Sequence, residues 1–141
     1  SLPSLLTSIC DNLEDQGKDA RFESGGRMTV MGDRTSLKRG FLNLIENGTK
    51  YGLRSRVTTE RTDDGRARVI IDDDGPGIPE DQRQAVFQPF VRLEDSRNRM
   101  TGGTGLGLAI VKKVMDRHGA DLTLSRAPSG GLRVIVDLDL A

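Results

Sequence analysis

The sequence predicts an α/β (α+β) fold, a two-layer sandwich whose mixed, mostly antiparallel sheet is covered on one face by three main helices. Three observations carry that prediction. Segments of helical and strand period follow one another as helix, two strands, helix, two strands, helix, two strands, the order that lays helices over a sheet. Glycine-bearing breaks join most strand neighbours, and a hairpin break requires an antiparallel pair, which argues against a doubly wound dinucleotide fold. At 141 residues, with 35% hydrophobic and 30% charged composition, the chain is long enough for one sizeable core and too short for two.

Each element has its own signal. Pro3 in a first turn and Leu5, Leu6, Ile9 and Leu13 at helical spacing predict an amphipathic helix over 3–16, stopped by Gly17. Alternating pieces at Ala20 to Glu23 and Met28 to Met31 flank Ser24-Gly25-Gly26 and read as two strands with a hairpin-like break. Asp33 offers an N-cap for a long helix to about Tyr51, closed by Gly52. Val57 to Thr62 and Arg66 to Asp73 read as a hairpin around Asp63-Asp64-Gly65. A short helical stretch near Glu80 to Gln84 precedes a polar, Arg-bearing segment from Phe87 to Thr104 with the character of a lid. Leu106 to His118 forms an apolar helix ended by Gly119. Strands near Asp121 to Arg126 and Leu132 to Leu140, around Ser129-Gly130-Gly131, complete the chain.

Composition excludes several functions. Lys plus Arg and Asp plus Glu number 21 each, so no net field gathers polyanions or acidic lipid. With no Trp, one Tyr and four Phe, few rings are available to stack single-stranded bases, and a nucleic-acid platform is disfavoured. One cysteine, Cys10, forms no internal disulfide, and one histidine, His118, builds no zinc knuckle; a reducing cytoplasm fits best. There is no membrane-length apolar run and no signal-peptide pattern, so direct membrane contact is not expected. The chain lacks an initiator Met and reads as a piece of something longer.

Three stretches carry chemistry. On the long helix, Leu37, Phe41, Leu44 and Gly48 fall within roughly 60° of one another at 100° per residue and pack inward. Asn43, Asn47 and Lys50 share a second stripe, two amide oxygens suited to Mg²⁺ and an ammonium suited to phosphate. That spacing alone more often marks an ordinary solvated helix face. In the strand ending Asp73-Asp74-Gly75-Pro76-Gly77, alternation puts Val69, Ile71 and Asp73 on one face. Asp73 then ends an apolar row at a pocket, as an acceptor for the exocyclic amine of adenine. The glycines admit a flat base, while Asp72 and Asp74 are expected to be surface charges. An acidic turn is the bland alternative. Finally, Gly102-Gly103-Thr104-Gly105-Leu106-Gly107-Leu108-Ala109-Ile110 opens the last helix, whose free N–H groups suit a triphosphate. It is neither a Walker A loop, lacking Gly-Lys-Ser/Thr, nor a Rossmann fingerprint, since no strand precedes it.

In order and combination these stretches resemble the ATP-binding catalytic domain of sensor histidine kinases, in the gyrase, chaperone, histidine kinase and mismatch-repair ATPase superfamily with its Bergerat-type fold. The resemblance covers nearly the whole chain. Asn43 to Gly52 resembles the family's N box, Asp73 to Gly77 its G1 box, Phe87-Gln88-Pro89-Phe90-Val91-Arg92 its F box and Gly103 to Gly107 its G2 box. It implies Mg²⁺ coordination by Asn47, with Asn43, Lys50 and Tyr51 lining an ATP site and Asp73 reading adenine. Gly75, Gly77 and Ile78 would shape the base pocket. Phe87 and Phe90 would anchor the lid, as lid anchors or as plain core packing. Arg92, Arg97 and Arg99 are its cations, with Glu94 and Asp95 at hand to pair with them. Gly103, Thr104, Gly105, Leu106, Gly107 and Leu108 would lie over the phosphates.

The implied activity is transfer of the γ-phosphoryl group of ATP to a histidine on a separate helical dimerisation domain, within a phosphorelay that passes to a response regulator. The parent would be a homodimeric, inner-membrane-anchored kinase, and this piece a monomeric cytoplasmic domain. His118, at a helix end beside Gly119, fits a capping or surface role rather than that of phosphoacceptor. Two other readings stand beside this one. A hydrolase of the gyrase and chaperone branch carries Glu four positions before its metal-binding Asn, where this chain has Asn43, an amide that takes no proton from water. A degenerate, non-catalytic binding module would have lost the motifs that are intact here. One departure from the family is Gly48, where Ala is common.

Overall fold

The computed structural model describes residues 1–51, 54–75, 106–128 and 130–141. Helix α1 (Leu2–Asp15) begins with Ser1 as N-cap, its hydroxyl accepting from the Ser4 N–H at 3.4 Å, and Pro3 stands where a missing N–H costs nothing. Its inward stripe of Leu2, Leu5, Leu6, Ile9, Cys10 and Leu13 is buried throughout. Burial, and then the charges of Glu14 and Asp11, push the Cys10 thiol up to about 11, so it packs as a small hydrophobe.

Strand β1 (Asp19–Glu23) leads to α2 (Arg34–Tyr51), and β2 (Arg54–Arg61) then returns parallel to β1, Ala20 opposite Ser55 and Phe22 opposite Val57. Asp33 caps α2, its Oδ2 accepting from the Ser36 N–H at 3.3 Å and hydroxyl at 2.6 Å. Strand β3 (Arg66–Asp73) pairs antiparallel with β2 around a turn where Gly65 has φ 81°, a conformation side chains resist. Helix α3 (Leu106–Arg117), β4 (Asp121–Arg126) and β5 (Leu132–Asp139) complete a mixed five-stranded sheet ordered β1-β2-β3-β5-β4, antiparallel except at β1-β2.

The helix-facing side of the sheet supplies Ala20, Val57, Ala67, Val69, Ile71, Val134, Val136 and Leu138. These close on Phe41, Leu44 and Ile45 of α2 and Val111 and Met115 of α3 in one core, with each large side chain contributing roughly 1.5–3 kcal/mol. Cross-strand ion pairs lie on the opposite side of the sheet. The guanidinium of Arg68 meets the carboxylate of its register partner Asp137 in two bonds, at 2.8 and 3.0 Å, and that of Arg133 meets its partner Asp72, both at 2.8 Å.

One expectation is corrected. Met28 to Met31 is not a strand paired in a hairpin with 20–23. It crosses the end of the sheet, held by a single bridge from Val30 to Leu140 and by the Leu2 N–H donating to the Met28 carbonyl at 3.0 Å. The chain leaving β1 turns toward β2 instead of back along the open side of β1: the Gly25 N–H donates to Thr59 Oγ1 at 2.9 Å, and a Cβ on Gly25 would come 1.9 Å from the Thr59 carbonyl oxygen. The described residues therefore hold five strands rather than six. The expected short helix at Glu80 to Gln84 and the lid from Phe87 to Thr104 lie outside the described residues.

Candidate functional site

Alternation along β3 buries Ala67, Val69 and Ile71 and carries Asp73 to the same side at the strand's end, where it is 9% exposed. Its Oδ1 accepts the N–H groups of Gly75 and Leu132, both at 3.0 Å. Burial raises the carboxyl above its ordinary value against the pull of those two donors, with Asp74 and Asp72 adding smaller repulsions. A carboxylate kept at such a place, braced by backbone donors, is an oriented acceptor.

Helix α2 descends onto this point. Gly48 is buried, and a Cβ there would lie 3.3 Å from the Asp73 Cβ. Asn47 is the preceding residue and Asn43 lies one turn earlier, both half-buried, and among the described residues neither side-chain amide makes a hydrogen bond. Glu46 instead accepts from Lys18 Nζ at 2.8 Å. The backbone of Lys50 and Tyr51 continues α2 past this contact.

The third component arrives through the packing of α3 against α2. His118, just past the end of α3, meets the start of α2: its Nε2 accepts the Asp33 N–H at 3.1 Å, while Nδ1 lies 2.8 Å from the Val114 carbonyl. A neutral imidazole protonated on Nδ1 satisfies both, the capping role expected of it. Further along, a Cβ at Gly40 would meet Met115 Cε at 3.2 Å. The two helices are thus antiparallel. The nine residues from Met115 back to Leu106 span about 14 Å at 1.5 Å each. They bring the start of α3 to the end of α2 that holds Asn47 and Lys50.

Gly75 is therefore placed beside Asp73, while Leu106, Gly107 and Leu108 form the first turn of α3. Gly77, Ile78, Phe87, Phe90, Arg92, Arg97, Arg99, Gly103, Thr104 and Gly105 lie outside the described residues. Asp74 is exposed, the surface charge expected, and accepts the Arg54 N–H at 2.9 Å, while Asp72 is half-buried and holds Arg133. Sequence reading missed the Leu132 N–H and Gly131, where a Cβ would come 2.4 Å from Asp73 Oδ1; Gly130-Gly131 signalled only a turn. Two surface clefts of about 310 and 220 Å³ involve the Glu60 to Asp64 turn and the Arg27 to Thr29 segment. They sit at the other end of β3, about 23 Å from Asp73 by strand rise, and gather no comparable set of groups.

As to metal, the described residues contain no group of three or more His, Cys, Asp or Glu that would cage an ion. An amide oxygen from Asn47 fits a magnesium ion that takes most of its ligands from phosphate and water, and such an ion would neutralise phosphate charge.

Comparison with known proteins shows the family. Residues 32–141 match the family described as histidine kinase-, DNA gyrase B-, and HSP90-like ATPase, and the chain belongs to that family. Within it, the likeness is to sensor histidine kinases. The chain is 35% identical over 133 residues to the signal transduction histidine-protein kinase BaeS of Escherichia coli (strain K12), covering 92% of this chain and 28% of BaeS. The structure of the mycobacterial sensor histidine kinase MprB superposes with a TM-score of 0.81 at 30% identity, covering 99% of this chain and 94% of that one. Full-length ShkA in complex with AMPPNP has the same fold over the whole of this chain and 30% of its own, with a TM-score of 0.83 at 24% identity. The chain thus spans less than a third of the length of BaeS. Among the described residues no helix is long and apolar enough to cross a membrane.

Proposed function

We propose that this chain is a single ATP-binding catalytic domain of a longer kinase, which binds Mg-ATP and donates the γ-phosphoryl group to a histidine on a separate dimerisation domain. The observation that carries this reading is the meeting of the α2 amide stripe, Asp73 and the start of α3 at one end of the molecule. Asp73, with Gly75, Gly77 and Ile78, would hold adenine. Asn47 would ligate magnesium, with Asn43, Lys50 and Tyr51 beside it. Phe90, Arg92, Arg97, Arg99 and the stretch Gly103, Thr104, Gly105, Leu106, Gly107 and Leu108 would surround the phosphates, where a helix N-terminus favours negative charge. The bond from the γ-phosphorus to the ADP oxygen breaks as a phosphorus–nitrogen bond to the acceptor imidazole forms, and catalysis consists of positioning and charge neutralisation.

In the same reading the parent is dimeric and membrane-anchored, with this domain in the cytoplasm and a response regulator downstream; the relatives' names as sensor histidine kinases support its kinase part. Mg-ATP is expected to raise the melting temperature, because it binds the folded state alone. Asn47→Asp is expected to weaken nucleotide binding while the fold survives. With labelled ATP, phosphate should appear on the histidine domain when it is supplied. Rapid phosphate release without that domain would assign the chain to the hydrolase branch instead, and no melting shift at saturating nucleotide would make it a binding module.

A further inference from the structure

Gly48 stands inside α2, where helix propensity alone makes glycine a poor choice. The packing beneath it gives the reason. Ser55 on β2 is completely buried, is the register partner of Asp73, and donates its hydroxyl to the Ile45 carbonyl of α2 at 3.0 Å. A Cβ added at Gly48 would lie 2.3 Å from the Ser55 Oγ, closer than such atoms approach. The hydroxyl is enclosed, and swinging it aside would forfeit its bond to the Ile45 carbonyl inside the core. The helix must move instead, and the element that moves carries Asn47 and Asn43 relative to Asp73.

We propose that Gly48 and Ser55 form a positioning pair that sets the separation between the adenine-reading carboxylate and the amides serving metal and phosphate. The proposal rests on the nucleotide-site reading above. Gly48 is a positioning residue, acting through the placement of α2, and Ser55 is the steric partner that obliges glycine there. Base and phosphate ends of one nucleotide must be held at once, so a shift of α2 penalises Mg-ATP more than a ligand that occupies only the base pocket.

The test compares the parent chain with Gly48→Ala, Ser55→Cys and the double variant Gly48→Ala/Ser55→Ala. Calorimetry gives Kd for Mg-ATP, NMR titration gives Kd for adenosine, and thermal melts monitor folding. Gly48→Ala is expected to weaken Mg-ATP binding tenfold or more and adenosine binding less than threefold, and the double variant to return Mg-ATP to within threefold of the parent. Ser55→Cys, a larger atom beside an intact glycine, is expected to weaken Mg-ATP at least threefold and serves if Gly48→Ala does not fold. Parental affinity in Gly48→Ala, an equal loss for both ligands, failure of the double variant to recover, or parental affinity in Ser55→Cys would each overturn the pairing. Absence of Mg-ATP binding in the parent itself would instead overturn the nucleotide-site reading.

Discussion

Asp73→Asn keeps the shape of the side chain and removes its charge, and stability and binding should respond in opposite directions. The amide carbonyl can retain both backbone donors now at 3.0 Å, from Gly75 and Leu132, so the bracing of β3 against the start of β5 survives. Burial holds the native carboxyl above its ordinary value, which means that the ionised group costs folding free energy at neutral pH, and Asn relieves that cost. On the proposed reading, a carboxylate oxygen that would accept from the adenine amine is replaced by an NH₂ that donates. Losing a hydrogen bond to a charged acceptor costs about 1.5–3 kcal/mol, or roughly 10- to 150-fold in Kd. Calorimetric titration with Mg-ATP and a thermal melt of the free protein read the two quantities. An affinity within threefold of the parent, or a melting temperature several degrees lower, would refute the reasoning, since Asp73 would then be a structural brace and not a reader of adenine.

The same carboxylate gives a pH signature. Its folded pKa lies above 3.8, so the folded chain holds the proton more tightly than the unfolded one, and stability is lost as pH rises through that folded value. Denaturant melts should therefore show Asp73→Asn gaining on the parent between about pH 3 and neutrality, and a gap that narrows as pH rises would contradict the sign. Phe41→Ala, at a fully buried position between helix and sheet, should cost about 3–5 kcal/mol by urea denaturation; a loss under 1 kcal/mol would mean that the core is not where it is drawn. His118→Ala removes the acceptor for the Asp33 N–H and the link to the Val114 carbonyl. It should cost about 1–2 kcal/mol without a change in phosphoryl transfer rate, and abolished transfer would give the histidine a role beyond capping.

What could be read from the sequence was mostly what is local. The spacing of Leu5, Leu6, Ile9 and Leu13, the Asp33 cap and the Asp63-Asp64-Gly65 turn each specify their own neighbourhood, and α1, α2 and the β2-β3 hairpin follow. Alternation likewise carried Asp73 to the buried face, because one residue of slip would turn Val69 and Ile71 outward. Pairing partners far along the chain were not legible. Nothing between Ala20 and Met31 says that the partner of β1 is β2, whose Ser55 lies opposite Ala20. Asp72 looked like a surface charge because its partner Arg133 is defined only by register with β5. Gly48 read only as a departure from the family, because the Ser55 hydroxyl that a Cβ there would meet at 2.3 Å belongs to another element.

The central claim is best tested by following backbone amide shifts in the NMR spectrum while a non-hydrolysable Mg-ATP analogue is added. The largest changes are predicted at Asn47, Gly48, Gly75, Leu132 and the first turn of α3 together. Changes centred on Thr62 to Gly65, at the opposite end of β3, with these amides unmoved, would contradict it.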